Sequence, residues 1–530
     1  MRERPRLVAT LFVIALVLPA AAAARLWGIG FCLPHPHCRP DEDAISAIAG
    51  AFRAGMMNPH VYNYPALFML AVAGLLRVLP GTERLLHKLM PFHFRPLYED
   101  GPPWTPKNYL AARSLSAAAG IASVWLIFRL GLRLFDRTAA VAASALLALA
   151  FLHVRDSHYG VTDVPMAFMV LLAFLYAVRL AESGSRHDLV ITGIAAGLAT
   201  STKYNAALVC LPGLFAALAC APPAKPMPAR LKDSALLLVL MVAAFLCTSP
   251  YSLLDYPNFI NDVASDASHL TGGHGVNLGR GWFYHATITL RYGVGIPILA
   301  AGVAGLLMLL VRKPRTGVLV ALFPVSYYVL LGSGYTVFTR HMIPVVPFLC
   351  LTAGYFIAEA AGWLATRVGR PGWQPALAAV GVVAALWPSV RSVVTFDTLL
   401  ARPDSRLLAR LWVEQRFPPG TTIAQIGPEG SRLFLHDESE VKYTTIDFTR
   451  DGPRPEIVVV PSSPVIEKPD LAGMDQVLVS EYTLAFSSDV DLADPRNVYD
   501  LQDEFYLPFA GFHQVERPGP NLKVYLRRYH

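Results

Sequence analysis

Long apolar runs dominate this sequence and restrict what it can fold into. They lie at 7–28, 109–135, 138–154, 162–181, 188–202, 204–221, 234–250, 291–311, 316–332, 341–364 and 374–396. A helix needs about 20 residues to cross a bilayer, and about 17 still suffice. Only 16% of the chain is charged, whereas about 25% is usual in soluble domains. The pattern predicts a mainly α polytopic membrane protein with about eleven transmembrane helices.

Basic residues precede the first run and follow every second run after it, and they indicate the orientation. Clusters such as 2–6, 129–137 and 312–315 all fall on one side of the membrane if the N-terminus is cytoplasmic. This arrangement agrees with the positive-inside rule. An odd number of crossings in the inner (plasma) membrane then predicts an extracytoplasmic, periplasmic C-terminus. The net charge of +7 reflects these loops, and no basic tail or aromatic–basic stripe indicates a nucleic-acid partner.

Two regions differ from the transmembrane runs. Segment 58–107 contains an apolar stretch interrupted by Arg77, which predicts an interfacial or re-entrant helix and then irregular chain over 81–107. The tail has an amphipathic helix spacing over Asp404–Phe417. Strand-like runs follow at 421–426, 441–448, 456–461, 476–481, 511–515 and 523–526. The sequence therefore predicts a transmembrane module over 1–396 and a soluble extracytoplasmic α/β domain over 397–530.

An acidic motif, Asp41-Glu42-Asp43, follows the first run almost at once. A carboxylate in mid-bilayer costs about 2.5–3.5 kcal/mol, so these residues must lie at or beyond the membrane surface. Acidic groups held there indicate a functional site. Stabilising negative charge at a helix N-terminus accounts for them equally well.

Two cysteines flank a histidine-containing loop just before this motif. Cys32 and Cys38 enclose His35 and His37. In an oxidising compartment the two cysteines form a plausible disulfide. A metal site built from all four side chains is the alternative, and the spacing matches no standard zinc pattern.

Further polar residues occupy the other loops expected on the extracytoplasmic side. They are Arg155, Asp156, His158, Asp163, Lys203, Arg340, and, in the long loop 251–290, Asp255 and His274. Attack on a phosphate-activated group needs such a set, because a carboxylate deprotonates the acceptor and cations neutralise the leaving phosphate. Structural alternatives remain open: Lys203 can extend to the interface, Arg155 can pair with Asp156, and Asp163 can cap a helix.

The order of these segments resembles one known family. The segments are Arg39-Pro-Asp41-Glu42, Asn58-Pro-His60…Asn63-Tyr-Pro65, Arg155-Asp-Ser-His158…Asp163-Val-Pro, Gly197…Lys203-Tyr-Asn205, Ser249-Pro-Tyr…Asp255 and Arg340-His…Pro344…Pro347. Together they resemble the family-39-like glycosyltransferases of the GT-C fold. That family includes protein O-mannosyltransferases and the bacterial transferase that adds aminoarabinose to lipid A. The latter has an acidic–basic pair where this chain has Asn63-Tyr64.

The resemblance implies a membrane-embedded enzyme that transfers a sugar, with inversion, from a polyprenyl-phosphate donor to an extracytoplasmic lipid, glycan or protein acceptor. Asp41 would be the base, Glu42 its neighbour and Asp163 a second catalytic carboxylate. Lys203 and Arg340 would face the donor phosphate. By their chemistry, Arg155 is a further candidate for binding this phosphate, and the candidates for contacting the acceptor or a divalent metal ion (Mg, Mn or Zn) are His158, Asp156, Asp255 and His274.

Two other classes of protein fit an apolar chain with polar loops. A transporter or flippase for a lipid-linked sugar places ionisable groups within its spans and often contains repeats, whereas the charges here cluster at helix ends and no repeat is evident. A non-catalytic membrane scaffold would use the tail to bind a partner. Both remain alternatives to the enzyme.

Overall fold

The computed structural model describes residues 3–89, 106–437, 440–441, 443–466, 474–488, 494–503 and 505–528. The first helices are α1 Glu3–Phe12, α2 Leu18–Leu26, α3 Pro40–Arg53, α4 Leu67–Leu89, α5 Pro106–Leu134, α6 Arg137–Ala148, α7 Phe151–Ser157, α8 Asp163–Ser183, α9 Arg186–Thr200 and α10 Cys210–Leu218. The next are α11 Met227–Thr248, α12 Tyr251–Leu254, α13 Tyr256–Gly272, α14 Gly281–Tyr284, α15 Arg291–Gly293, α16 Ile296–Arg312, α17 Pro314–Gly332, α18 Val346–Arg367, α19 Gln374–Leu400, α20 Ser405–Arg416 and α21 Met474–Glu481. Short π-helical or 3₁₀ turns connect several of them. The strands are β1 Thr422–Gln425, β2 His436–Asp437, β3 Glu440–Val441, β4 Thr444–Thr445, β5 Ile457–Ser462, β6 Tyr482–Ser487 and β7 Asn521–Arg527.

Every predicted apolar run contains a helix. Within the described residues, seven helices are long and apolar enough to cross a membrane, and nine spans result if each of two bent helix pairs counts as one. The bent pairs are α6 with α7, at 53°, and 281–293 with α16, at 116°. The other two predicted runs, 188–202 and 204–221, hold shorter helices, of which α9 has 15 residues. The crossing of these two shorter helices stays a prediction.

The described chain divides into two compact units. The helical unit consists of Met1–Leu26, Ile48–Leu86 and Ala111–Val394. The loop–tail unit consists of Trp27–Ala47, His87–Leu110 and Thr395–His530. The tail that the sequence marks as a separate domain therefore shares a compact unit with the segment that carries the acidic motif.

Small residues allow close helix packing inside the helical unit. Helix α9 packs against both α8 and α11. A Cβ atom added at Gly197 would lie only 2.3 Å from the carbonyl oxygen of Met241, so this contact requires glycine. Such close approach is typical of membrane helices, which lack a hydrophobic driving force between them. It fixes the end of α9, where Lys203 follows three residues later.

The loop–tail unit contains a mixed sheet with a helix on each face. Among the described residues its strands have the order β4-β1-β5-β7-β6. β1 is parallel to β4 and β5, while β7 is antiparallel to β5 and β6. Because side chains alternate along a strand, Ile423 packs with α20 on one face and Ala424 packs with α21 on the other. This arrangement is the predicted α/β domain.

Three local expectations for the tail and the connection were wrong. Residues 476–481 lie in helix α21 rather than a strand, because a short apolar run does not distinguish the two. Residues 511–515 form no strand, since Gly511, Phe512 and Gln514 have positive φ angles, which a strand excludes. Residues 81–89 are helical within α4 and residues 106–107 begin α5, while 90–105, between them, lies outside the described residues.

Candidate active site

The acidic motif forms the first turn of α3, in the loop–tail unit. Asp41 is half-buried, whereas Glu42 is buried. The carbonyl of Arg39 accepts the first hydrogen bond of the helix from the amide of Glu42, at 3.1 Å. The positive end of the helix dipole favours carboxylates in this turn. Asp41 is therefore the more exposed carboxylate of this pair.

Asp43, for which the sequence indicates no role, is held by two side chains. Nδ1 of His37 lies 2.7 Å from one carboxylate oxygen of Asp43. The hydroxyl of Tyr109 donates a hydrogen bond to the other oxygen. Both carboxylate oxygens thus have partners, so Asp43 connects the acidic turn to the disulfide loop and to the start of α5. Sequence reasoning missed Tyr109, because nothing in an apolar helix start marks one tyrosine as a partner of a distant aspartate.

The loop before the motif is closed by a disulfide between Cys32 and Cys38. The ring of His35, inside this loop, donates from Nε2 to the carbonyl of Arg432 at 2.8 Å. The sulfur atoms are bonded to each other and the histidine is bound to backbone. The alternative metal site of these four residues therefore does not match the structure.

We expect the stability of the loop–tail unit to depend on His37 as the pH rises. The hydrogen bond to Asp43, and then its charge, raise the pKa of His37 above the ordinary value of 6.5. A group with a raised pKa stabilises fully below its unfolded value, and this contribution is lost as the pH rises through the folded value. His37→Gln should therefore reduce the unfolding free energy at pH 6 and have a smaller effect at pH 8.5. Urea unfolding at both values measures the difference, and an effect of equal size at both would contradict the role of the imidazolium.

His35 acts in the opposite direction. Burial lowers its pKa to about 4, and the charge of Arg406 acts in the same sense. The unfolded chain binds a proton more readily than the folded one below pH 6.5, so stability is lost as the pH falls from 6.5 towards 4. The contributions of these two histidines are therefore largest together near pH 6.5.

Asp163 and Lys203 form an ion pair in the helical unit. Asp163 is the first residue of α8, and Nζ of Lys203 lies 2.6 Å from its Oδ1. The carboxylate side chain is 3% exposed, whereas that of Lys203 is 19% exposed. The pair therefore presents its cation to solvent while the carboxylate fixes the ammonium. The N-cap position of α8 is held by Thr162 rather than by Asp163, and the Asp163 carboxylate pairs with Lys203 instead.

Arg155 is buried in the same unit. Its Nη1 donates to Asp156 and to the hydroxyl of Thr339, both at 3.2 Å. His158 is also buried and donates from Nδ1 to the carbonyl of Val154, at 3.0 Å. The contact with Thr339 connects α7 to the turn that precedes α18. Arg155 is therefore a buried hydrogen-bond donor to that turn and is not exposed to solvent.

Arg340 follows Thr339 in this turn and is half-buried over the ring of Phe338, at 4.2 Å. Its charge acts on His269 of α13, whose pKa is lowered by burial, by His274 and by Arg340. His274 is hydrogen-bonded to His269, at 2.8 Å between ring nitrogens. Lys203 acts on Asp266 of the same helix, where burial raises the carboxyl pKa and Lys203 opposes the rise. The two expected phosphate-binding cations thus share α13 as an electrostatic neighbour.

Helix α13 also holds the segment after α3. Asp255, just before the helix, accepts hydrogen bonds from Asn58 at 3.2 Å and from the hydroxyl of Tyr62 at 3.0 Å. Asn63 donates to Asp266 at 2.6 Å. Asn63, which stands where the related transferase has a charged pair, therefore serves as a hydrogen-bond donor to the long loop. The sequence did not indicate Asp266, because one carboxylate among several in a helix has no distinguishing pattern.

The residues expected to hold a divalent metal ion do not fit one. Throughout the part of the chain that the structure describes, no group of three or more His, Cys, Asp and Glu side chains could hold a metal ion. Asp156, Asp255 and His274 each have the partners described above. We therefore derive no step of the reaction through a metal.

Comparison with known proteins agrees with this architecture. Residues 105–253 match the family model described as dolichyl-phosphate-mannose-protein mannosyltransferase. A comparison with curated proteins gives no match. The matched segment includes Arg155, Asp163 and Lys203.

Solved structures share the fold at low sequence identity. ArnT from Cupriavidus metallidurans bound to undecaprenyl phosphate is 14% identical, with a TM-score of 0.54 over 97% of this chain and 98% of that one. Its apo form gives 0.52 at 14% identity, over 97% of both chains. The apo Archaeoglobus fulgidus oligosaccharyltransferase gives 0.50 at 12% identity and covers 84% of this chain. This chain spans only 61% of that oligosaccharyltransferase.

These matches define the class. The chain is a multi-span membrane protein with the GT-C fold, which ArnT and the oligosaccharyltransferase also have. Within this class, segment 105–253 matches the model of the dolichyl-phosphate-mannose-protein mannosyltransferase family. The resemblance that the sequence predicted is thereby confirmed.

Proposed function

We propose that this protein is a glycosyltransferase that moves a sugar from a polyprenyl-phosphate donor to an extracytoplasmic lipid, glycan or protein acceptor, with inversion at the anomeric carbon. The family match and the shared fold support this class. ArnT, which has the same fold, binds undecaprenyl phosphate. The disulfide between Cys32 and Cys38 favours an oxidising compartment for the loop–tail unit. We therefore also propose a cytoplasmic N-terminus and an extracytoplasmic tail domain.

The observation that carries the proposal is the Asp163–Lys203 pair. A phosphate leaving group needs a cation that is fixed before the reaction, because preorganised charge costs no reorganisation in the transition state. Asp163 holds the ammonium group at 2.6 Å and leaves it partly exposed. Arg340 supplies a second cation, which can contact phosphate through two N–H groups. Arg155 contributes through Thr339, next to Arg340.

In the proposed reaction, Asp41 accepts the proton of the acceptor hydroxyl. The acceptor oxygen forms a bond to the anomeric carbon as the bond from that carbon to the phosphate oxygen breaks. Polyprenyl phosphate leaves with its negative charge compensated by Lys203 and Arg340. One displacement inverts the anomeric configuration.

The test is transfer by the purified full chain in proteoliposomes. Polyprenyl-phosphate donors with different sugars are supplied with a membrane extract as acceptor, and released polyprenyl phosphate and glycosylated product are measured by mass spectrometry. We expect equal amounts of both, and an inverted anomeric centre by NMR. Movement of intact donor across the bilayer without bond cleavage would replace the proposal by a flippase. If no donor gives either sugar transfer or movement across the bilayer, the proposal is replaced by a non-catalytic scaffold.

A further inference from the structure

A buried ion pair joins the start of α3 to the C-terminal segment within the loop–tail unit. Nη2 of Arg39 donates to a carboxylate oxygen of Asp503, and the two residues are 464 positions apart. Arg39 is 0% exposed and Asp503 4% exposed, so water does not compete for this contact. The ring of Phe505 lies 5.8 Å from the guanidinium carbon. The Arg39 side chain is therefore held by a carboxylate and an aromatic ring that both come from the tail.

Arg39 in turn determines where α3 begins. Its carbonyl oxygen accepts hydrogen bonds from the amides of Glu42 and Asp43, at 3.1 and 3.4 Å. Pro40 follows as the first helical residue, a position where its restricted φ angle favours the start of a helix. The backbone of Asp41 thus lies between the anchored Arg39 and the first helical hydrogen bonds. A displacement of Arg39 would change the direction of the Asp41 side chain.

Another tail residue, Arg406, fixes the disulfide loop that precedes Arg39. Arg406 pairs with Asp404 at 2.8 Å and is buried with it. Its Nη2 lies 3.1 Å from the sulfur of Cys32, and its Nη1 lies 3.4 Å from the carbonyl oxygen of His37. The disulfide loop and the acidic turn are therefore both attached to the tail.

We propose that the tail domain is a positioning element of the transfer reaction, and that Asp503 is a positioning residue that acts through Arg39 on the turn that carries Asp41. This rests on the proposed function, in which Asp41 is the base. Misplacement of a reacting group by about 1 Å costs about 10²-fold in rate. Asp503 therefore affects kcat although it touches no reactant.

The central experiment compares Asp503→Asn with Asp503→Glu. Asp503→Asn keeps the shape but removes the charge, and we expect kcat to fall about 10²-fold while KM for the donor is unchanged. Asp503→Glu restores the carboxylate and should recover part of the lost kcat. Asp494→Asn is the matched control, because Asp494 also pairs with an arginine of the tail, the exposed Arg496. The control should have the kcat of the wild type.

Two further measurements keep the test decisive. Asp503→Asn removes one carboxylate from a buried ion pair, and breaking such a pair typically costs about 3–5 kcal/mol. The double variant Arg39→Met with Asp503→Leu removes both charges, and such replacement is often neutral for stability, so it should fold and still have a low kcat. Amide hydrogen exchange at Glu42 and Asp43 should rise in Asp503→Asn and not in Asp494→Asn. This readout needs no turnover.

The outcomes separate the two proposals. Inactive wild-type protein with faster exchange in Asp503→Asn would refute the proposed function and retain the structural link. If the wild type is active, Asp41→Asn is inactive and the double variant has full kcat, then the proposed function stands. The positioning role of Asp503 is refuted in that case. Unchanged exchange at Glu42 and Asp43 in Asp503→Asn would also overturn it.

Discussion

Replacing Asp41 by Asn should reduce kcat by about 10²–10⁴-fold, the usual contribution of a general base. Asparagine keeps the size of the side chain but cannot accept the proton of the acceptor hydroxyl. Asp41 is half-buried in the first turn of α3, so this exchange disturbs little packing. KM for the donor should stay the same, because the carboxylate acts on the acceptor. Steady-state transfer in proteoliposomes measures both constants.

Asp43→Asn, the same change two positions away, is the matched comparison. Asp43 is bound by His37 and Tyr109, so this variant should lose stability in urea, and its kcat should fall less than that of Asp41→Asn. Full activity in Asp41→Asn would remove Asp41 from the reaction. A larger loss of kcat in Asp43→Asn than in Asp41→Asn would show that the base is assigned to the wrong carboxylate.

Replacing Lys203 by Gln should have the second large effect. Loss of the cation removes charge stabilisation from the leaving phosphate, and one such contact is worth about 10²–10³ in kcat. It also leaves the buried Asp163 carboxylate without its ammonium partner, which typically destabilises by about 3–5 kcal/mol. Activity and the free energy of unfolding are therefore expected to fall together. Both are measured on the same preparation.

A double variant separates these two losses. Adding Asp163→Asn to Lys203→Gln removes the unpaired carboxylate, so stability should recover while kcat stays low. Lys225→Gln is the control, because Lys225 pairs with Asp233 at a more exposed position and its loss should leave transfer unchanged. Recovery of kcat in the double variant would mean that Lys203 acts only by stabilising the fold.

The architecture of the membrane part was predictable because a run of some 20 apolar residues has the length and character of a membrane-spanning helix. The structure has a helix in each of the eleven runs. The tail was harder, since its short apolar segments suit a helix or a strand equally. The segment at 476–481 became α21, and the strand that follows it, β6, was missed. Left-handed residues such as Phe512 cannot be recognised from residue type alone, because only glycine marks them.

The sequence was sufficient to predict which residues belong to the candidate site, but not which of them contact each other. Asp163 and Lys203 are both recognisable in the sequence, yet their pairing depends on how α8 and α9 pack, which a single sequence does not encode locally. Arg155 was expected to face phosphate, and its burial against Thr339 comes from a turn 184 residues away. Asp503 had no signal at all. A lone aspartate in a polar tail has no periodicity or motif, and its partner lies near the other end of the chain.

The Arg39–Asp503 pair also has a consequence for synthesis. A ribosome adding about 5–20 residues per second needs roughly 20 to 90 seconds to make the chain between the two residues. The bond between Cys32 and Cys38, six positions apart, can form early in that interval, whereas the contact of Arg39 with Asp503 must wait until residue 503 has been made. The acidic turn is therefore finished late, and a nascent chain that stops before Asp503 carries this turn without its anchor.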